Sequence, residues 1–378
     1  MTNNILLVEN HGADFYKSRL KYATYLIQNG WNVFVLVPDD EYTDQIRKSG
    51  LIVYTYVRDH RENWLKQVLR IRKAYHRIFT ENHIDIVHSY RLFPNFINVL
   101  VNIFSRRKVV LHITGLGIVY SNSSLKYLVY RQISNLIYFF MISFSDITIV
   151  QNPNDRNDLL FFPFMRKKLV LIKGSGVDTK LFSFDPYFRE SIRIEYNIDS
   201  TELLFMCVTR LIWEKGIREM VSAFQEICKS QPHVKLIIVG SPHTNNPRYV
   251  TAEYIESMKG SNNIIFAGSH DNIPQLLCAA DVFIYPSYYR EGVPRSILEA
   301  LSIGLPIITT NTPGCNLTVM EGCNGYLIES RSAKAIFDTI HKFLEEPAQL
   351  KNMGLKSRTI VEENFRDIVI YEQLRQVY

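Results

Sequence analysis

The chain has 378 residues, 43 Lys and Arg against 37 Asp and Glu, 47% apolar and 21% charged residues, and a formal net charge of +6. This is the balance of a soluble globular protein; it excludes disorder, collagen and coiled coil, and the length predicts two domains, each able to bury its own core. Five cysteines (Cys207, Cys228, Cys278, Cys315 and Cys323), odd in number and without a CxxC pair, exclude a disulfide framework and a structural zinc site and suit a reducing compartment.

The start, Met1-Thr2-Asn3-Asn4-Ile5, has no basic region followed by a long apolar stretch, so no signal peptide is expected. Short β-rich runs at 5–8, 33–37, 52–57, 84–87, 109–113, 147–150 and 169–172 predict strands separated by helical segments. After Gly176 the series restarts at 203–208, 234–239, 264–266, 282–285, 307–309 and 326–328. Apolar runs without strict alternation suit strands covered on both faces, and βα alternation implies parallel sheets. The expected fold class is therefore α/β, with two doubly wound domains facing a central cleft. Their seam is expected at Gly174-Ser175-Gly176, dividing 1–176 from 177–357, with a C-terminal helix of about 358–378 packing back on the first domain.

Two segments of the first half suggest surfaces. Between 59 and 79, Trp64, Leu65, Val68, Ile71, Tyr75, Ile78 and Phe79 recur at helical spacing while Arg61, Lys66, Arg70, Lys73 and Arg77 take other positions. This is a basic amphipathic helix, which docks on its own domain or meets an anionic bilayer. Residues 132–145 are uncharged, too few for a span of about 20 but enough for a buried or membrane-surface helix. Residues 1–175 hold 23 Lys and Arg against 13 Asp and Glu, a net of +10, and the remainder has a net of −4. The basic half suits a nucleic acid, an anionic membrane or a phosphorylated substrate, or simply a solvated surface.

The second half carries the chemistry. The strand at 203–208 runs into Thr209-Arg210-Leu211-Ile212-Trp213-Glu214-Lys215-Gly216, with a helix from about Ile217. Arg210 and Lys215 thus stand at a strand's carboxyl end beside a helix start, where two cations and the helix dipole suit a diphosphate; an ordinary loop with two exposed bases is the alternative. The strand at 282–285 leads through Pro286-Ser287-Tyr288-Tyr289-Arg290-Glu291-Gly292-Val293-Pro294 into a helix starting near Pro294 and ending at Gly304. Glu291 lies at the helix entry and Glu299 one to two turns inside, suited to sugar or ribose hydroxyls or to dipole and surface roles. Eight helical steps separate backbones by about 12 Å, which fits separate contacts along one ligand better than the ~5 Å carboxyl pair of a retaining hydrolase.

Arg210 with Lys215, and Glu291 with Glu299 inside Pro286-Ser287…Glu291-Gly292…Glu299-Ala300…Gly304-Leu305-Pro306, resemble the donor-site motifs of glycosyltransferase family 4. Residues 174–178, 271–274, Ala280-Asp281 and Asn324-Gly325-Tyr326 agree. The resemblance spans nearly the whole chain and implies the GT-B fold of two Rossmann-like domains, a retaining mechanism and a nucleotide-sugar donor. His11-Gly12-Ala13, Asp40-Glu41-Tyr42-Thr43, Gly115-Leu116-Gly117, Trp213-Glu214-Lys215-Gly216 and Gly314-Cys315 resemble bacterial transferases that extend lipid-linked oligosaccharides, including α-1,3-N-acetylgalactosaminyltransferases.

The resemblance gives these residues roles. Arg210 and Lys215 would neutralise the leaving diphosphate, Glu291 would meet the donor sugar and Glu299 the ribose. Thr312 and Gly314 would surround donor phosphate or sugar with Gly292 and Val293, Ser269 and His270 would lie by the base, and Gly12 would approach the donor closely. His11, Gly12, Thr114 and Gly115 would border the acceptor in the first domain. The family's histidine beside the reacting carbon has Thr114 at its usual place here; His112, on the same strand face, is the candidate substitute, with His88 a further one, and packing is the plain role of both.

The implied protein is a cytoplasmic glycosyltransferase, peripheral on the inner face of the membrane. It would move a hexose or N-acetylhexosamine, GalNAc favoured, from a UDP-sugar to a polyprenyl-diphosphate-linked saccharide in surface polysaccharide assembly. No metal, no further cofactor and no nucleic acid are expected. The alternatives are a UDP-sugar 2-epimerase or hydrolase, which needs no acceptor, and a non-catalytic UDP-sugar-binding subunit of a membrane complex.

Overall fold

Thirteen strands form among the described residues, in two parallel sheets. In the computed structural model those residues are 3–58, 63–122, 124–174, 176–242, 246–258 and 260–378. The start of the amphipathic segment, 59–62, and Ser175 of the expected seam lie outside them.

The first sheet contains β1 (Asn4–Val8), β2 (Asn32–Pro38), β3 (Ile52–Tyr56), β4 (Ile86–Tyr90), β5 (Lys108–Ile113), β6 (Ile147–Val150) and β7 (Leu169–Leu171), in the order β3-β2-β1-β4-β5-β6-β7. Every pair is parallel. The continuous apolar runs arise because both faces are covered. Ile5 and Leu7 of β1 pack with Phe15, Tyr22 and Ile370, while Leu6 and Val8 pack on the opposite face with Ile71, Tyr75 and Ile78. Strand β4 starts two residues later than the apolar run suggests. The Asp85 carboxylate accepts the Asn4 amide at 2.9 Å, and the register then pairs Ile5 with Ile86.

The second sheet contains β8 (Leu203–Val208), β9 (Val234–Val239), β10 (Ile264–Gly268), β11 (Val282–Tyr285), β12 (Ile307–Thr310) and β13 (Gly325–Ile328), in the order β10-β9-β8-β11-β12-β13, again all parallel. Its core is separate and includes Phe205, Phe224, Phe283 and Phe343.

The chain divides into two compact units, Met1–Ile172 with Ile370–Tyr378, and Lys173–Val369. The tail changes unit later than the expected 358. Met353, Ile360 and Val361 of helix Gln349–Asn364 belong to the second core, and Phe365 and Asp367 are bonded to both sides of Val177 at 2.9 and 3.0 Å. Only the following helix, Asp367–Gln376, gives Ile370, Tyr371 and Leu374 to the first core. Helix Trp64–Glu81 begins at Asn63, whose side chain caps the Leu65 amide, and it buries Ile71, Tyr75 and Ile78 on its own sheet while Trp64, Leu65 and Leu69 stay exposed. Among the described residues no helix is long and apolar enough to cross a membrane.

Candidate active site

In the second sheet the winding reverses between β8 and β11: β9 and β10 lie to one side of β8, and β12 and β13 lie beyond β11. A crevice opens beyond the carboxyl ends of such a strand pair, because the two following connections leave in opposite directions. The loops after β8 and β11 carry Arg210 and Lys215, and Glu291.

These loops are fastened together. The Glu214 carbonyl accepts the amides of Tyr288 at 2.9 Å and Tyr289 at 3.2 Å. Gly216 ends the short 3-10 turn Trp213–Lys215 with φ 73°, in the left-handed region, and starts helix Ile217–Ser230. A Cβ there would lie 2.3 Å from the Pro286 carbonyl oxygen, so only glycine allows both the turn and the approach of the second loop.

Lys215, its side chain 4% exposed, is held on three sides. Its ammonium donates to the Tyr285 hydroxyl at 2.6 Å and pairs with Glu291 Oε1, and Tyr285 in turn donates to Glu291 Oε1 at 3.2 Å. The rings of Tyr285 and Tyr289 lie 5.1 and 5.3 Å from the same ammonium, within cation–π range. Burial and the Glu291 charge push the Tyr285 hydroxyl well above the usual tyrosine range, so it stays protonated and can donate, while Arg210 acts in the opposite direction. Arg210 is exposed on the same loop. An ammonium has three protons, and two of them are used within the triad. Sequence reasoning missed Tyr285 and Tyr289. The available signal was a tyrosine closing the otherwise apolar strand Val282-Phe283-Ile284.

The loop after β12 closes one side. Thr310 and Thr312 both donate to the Ser287 carbonyl, Thr312 at 3.3 Å. Gly314 (φ 86°) comes so near the Gly292 carbonyl that a Cβ would stand 1.9 Å from its oxygen. Thr312, Gly314, Gly292 and Val293 are therefore grouped with Lys215 and Glu291.

Helix Arg295–Ile303 begins one residue later than expected, with Pro294 as its cap. Glu299 is its fifth residue, nearly buried, and pairs with Arg295 one turn back at 2.8 Å. Burial, opposed by Arg295, moves its carboxyl upward. Ser269 and His270 follow β10 at the sheet's far edge. Ser269 is exposed, and the His270 Nε2 lies 3.0 Å from the Ala267 carbonyl and 3.3 Å from the Tyr196 hydroxyl. Asp281 is structural: it accepts the Leu204 amide and pairs with Arg189 and Arg193.

The first unit gathers His11, Gly12, Thr114 and Gly115 at the carboxyl end of its sheet, after β1 and β5 with β4 between them. The Gly12 amide donates to Asp40 Oδ2 at 2.8 Å, and a Cβ on Gly12 would collide with that carboxylate, so the glycine fits Asp40 rather than leaving its amide open. His112 is fully buried. Its ring lies 5.6 Å from His88 and 5.0 Å from Tyr90, and Nε2 is 3.0 Å from the Gln151 amide nitrogen. Burial, Arg19 and His88 hold it well below the usual histidine range and therefore neutral. His88, likewise buried, is 2.6 Å from the Tyr378 hydroxyl. Both histidines pack in the interior of the first sheet; neither has exposed surface.

Glu9, buried at the end of β1, is pushed up to about 7 from 4.5 by burial, which outweighs Arg91 at 3.2 Å and Arg19 at 4.0 Å. The folded chain keeps a proton that the unfolded chain releases as pH rises from about 4.5 to 7. Stability should fall across that window, by on the order of 3 kcal/mol, and level off above it. Urea midpoints at several pH values should show this slope in the native chain and lose it in Glu9→Gln.

The profile for group 1 glycosyl transferases matches residues 188–360, and that for glycosyl transferase 4-like domains matches residues 4–152. The Campylobacter jejuni N,N'-diacetylbacillosaminyl-diphospho-undecaprenol alpha-1,3-N-acetylgalactosaminyltransferase is 26% identical over 91% of this chain and 90% of its own. Among solved structures, HepE from Anabaena, crystallised with UDP and glucose, superimposes with a TM-score of 0.80 at 18% identity over 98% of each chain. Sucrose-phosphate synthase from Thermosynechococcus elongatus gives 0.84 at 20% identity over 100% of this chain and 98% of its own. With the two parallel doubly wound sheets, these matches identify the chain as a member of glycosyltransferase family 4, with the GT-B fold.

Proposed function

We propose that this glycosyltransferase moves a hexose or N-acetylhexosamine, with GalNAc favoured, from a UDP-sugar to a polyprenyl-diphosphate-linked saccharide, with retention of configuration and at the inner face of the cytoplasmic membrane. The observation that carries the reading is the Lys215–Tyr285–Glu291 triad beside Arg210 at the point where the second sheet reverses its winding. The lipid-linked acceptor of the Campylobacter relative and the UDP in the Anabaena structure support the choice of substrates.

In this mechanism negative charge grows on the departing diphosphate as the bond to the sugar carbon breaks. Lys215 uses its ammonium and Arg210 its exposed guanidinium to stabilise that charge where it develops. Glu291, held by Lys215 and Tyr285, accepts hydrogen bonds from donor-sugar hydroxyls, and Glu299 stands toward the ribose. The acceptor hydroxyl attacks from the face the diphosphate leaves, and its proton passes to a diphosphate oxygen.

A panel of UDP-sugars offered with a polyprenyl-diphosphate-linked saccharide tests the reading. Transfer from one of them with retained anomeric configuration is expected. No transfer from any donor, together with no affinity for UDP, overturns it. Because Lys215 and Arg210 serve the diphosphate in this mechanism, the rate should be unchanged by excess EDTA; a loss restored by magnesium would show that a metal supplies the charge instead.

A further inference from the structure

Helix Leu125–Ser143 is apolar on both sides. Its Tyr138, Met141 and Ile142 are buried with Val109, Leu111 and Val150 in the core of the first sheet. The opposite side should be polar if water covers it. Instead Leu125, Leu128, Val129, Ile133, Leu136 and Phe139 are all exposed, Leu125 by 78% and Leu136 by 69%. At 100° per residue they share an arc of about 140°, with Gln132 the one polar residue between them.

The strip continues past the helix. The Phe139 ring lies 5.6 Å from Phe162, and Phe162 lies 6.0 Å from Phe164; both of these rings are more than half exposed. They flank Pro163 at the start of the short turn Pro163–Lys167, whose Arg166 and Lys167 are exposed. The helix contains no Asp or Glu, and its two charges are Lys126 and Arg131; residues 159–173 are equally free of acids and hold Arg166, Lys167, Lys168 and Lys173. Scattered surface leucines need no explanation, but an apolar strip that runs about 21 Å along the helix, with only basic charges on the helix itself and on the turn Pro163–Lys167, does.

We propose that this strip is a membrane-docking face, which lies in the interface of an anionic lipid bilayer with Phe162 and Phe164 inserted and Lys126, Arg166 and Lys167 on the headgroups. The inference deepens the membrane part of the proposed function and rests on it. The charge pattern selects the occupant. A two-fold contact with a second copy would bring the same basic border against itself, whereas an anionic surface attracts it, by about 1 kcal/mol per basic residue, and apolar burial adds to that. Helix Trp64–Glu81 covers the same face of the sheet and leaves Trp64 and Leu65 exposed at its start.

The test is flotation of the full chain with vesicles of phosphatidylcholine alone and with phosphatidylglycerol added. The native chain should float with the anionic vesicles. Leu136→Glu combined with Phe164→Ser should reduce the bound fraction about tenfold or more, and Arg166→Gln with Lys167→Gln should remove the preference for anionic over neutral vesicles. All four side chains are exposed, so thermal stability and UDP affinity should be unchanged. Equal binding by native and variant chains overturns the proposal, as does a native chain that binds neither vesicle, or variants that lose self-association in sedimentation while binding vesicles normally. Transfer to a detergent-solubilised acceptor separates this from the proposed function. Transfer without vesicle binding sinks the docking face alone; vesicle binding abolished by the variants, without transfer from any UDP-sugar, supports the face and sinks the proposed reaction.

Discussion

Lys215→Ala should lower kcat/KM by about 10²–10³-fold, the effect of removing one group that stabilises developing charge. The loss should fall mainly on kcat, because the lysine's attraction to the diphosphate is greatest as the leaving group separates. The substitution also takes the Lys215 ammonium from Glu291, which is only 17% exposed, so some destabilisation should accompany it. Tyr285→Phe discriminates between charge and scaffold. It retains the ring under the ammonium and the Lys215–Glu291 pair but removes one bridging hydroxyl, and should cost about 2- to 10-fold. Steady-state kinetics on both variants, with thermal unfolding as a control, checks the order of effects. A Lys215→Ala enzyme with native kcat would remove the lysine from the mechanism.

The second large effect is expected at Gly216. Alanine there meets two penalties together: a left-handed φ of 73° and a Cβ placed 2.3 Å from the Pro286 carbonyl oxygen. Relief requires the loop after β8 to move away from the loop after β11. Gly216→Ala should therefore cost about 2–4 kcal/mol, a fall of about 5–10 °C in the unfolding temperature of a unit this size. UDP affinity should drop as well, because the shift separates Lys215 from Glu291. Calorimetry and UDP titration on the same sample read both effects. A stability loss with native UDP affinity would mean that the contact between these loops does not organise the site.

The inner strands were legible because they are covered on both faces and so read as unbroken apolar runs; most boundaries moved by one or two residues, and the start of β4 moved where the Asp85 side chain takes the Asn4 amide. The carboxyl ends of β8 and β11 were equally legible, which is why Arg210, Lys215 and Glu291 could be named together. Tyr285 was hidden because a tyrosine at the end of a strand reads as core, and only the fold directs its hydroxyl to Lys215. The pairing of Glu299 with Arg295 follows from their four-residue spacing on one helix face. The depth of His112 was not legible, since alternation along a strand assigns a face but not what covers it. The same limit applied to 132–145: composition gave an apolar helix but could not tell which of its sides the sheet would take.

A crystal structure of the protein with UDP would show whether Lys215 and Arg210 hold the diphosphate. The diphosphate should lie beyond the ends of β8 and β11, with oxygens about 3 Å from Lys215 Nζ and from the Arg210 guanidinium. A diphosphate seated elsewhere, with Lys215 untouched and still enclosed by Tyr285, Tyr289 and Glu291, would contradict that role.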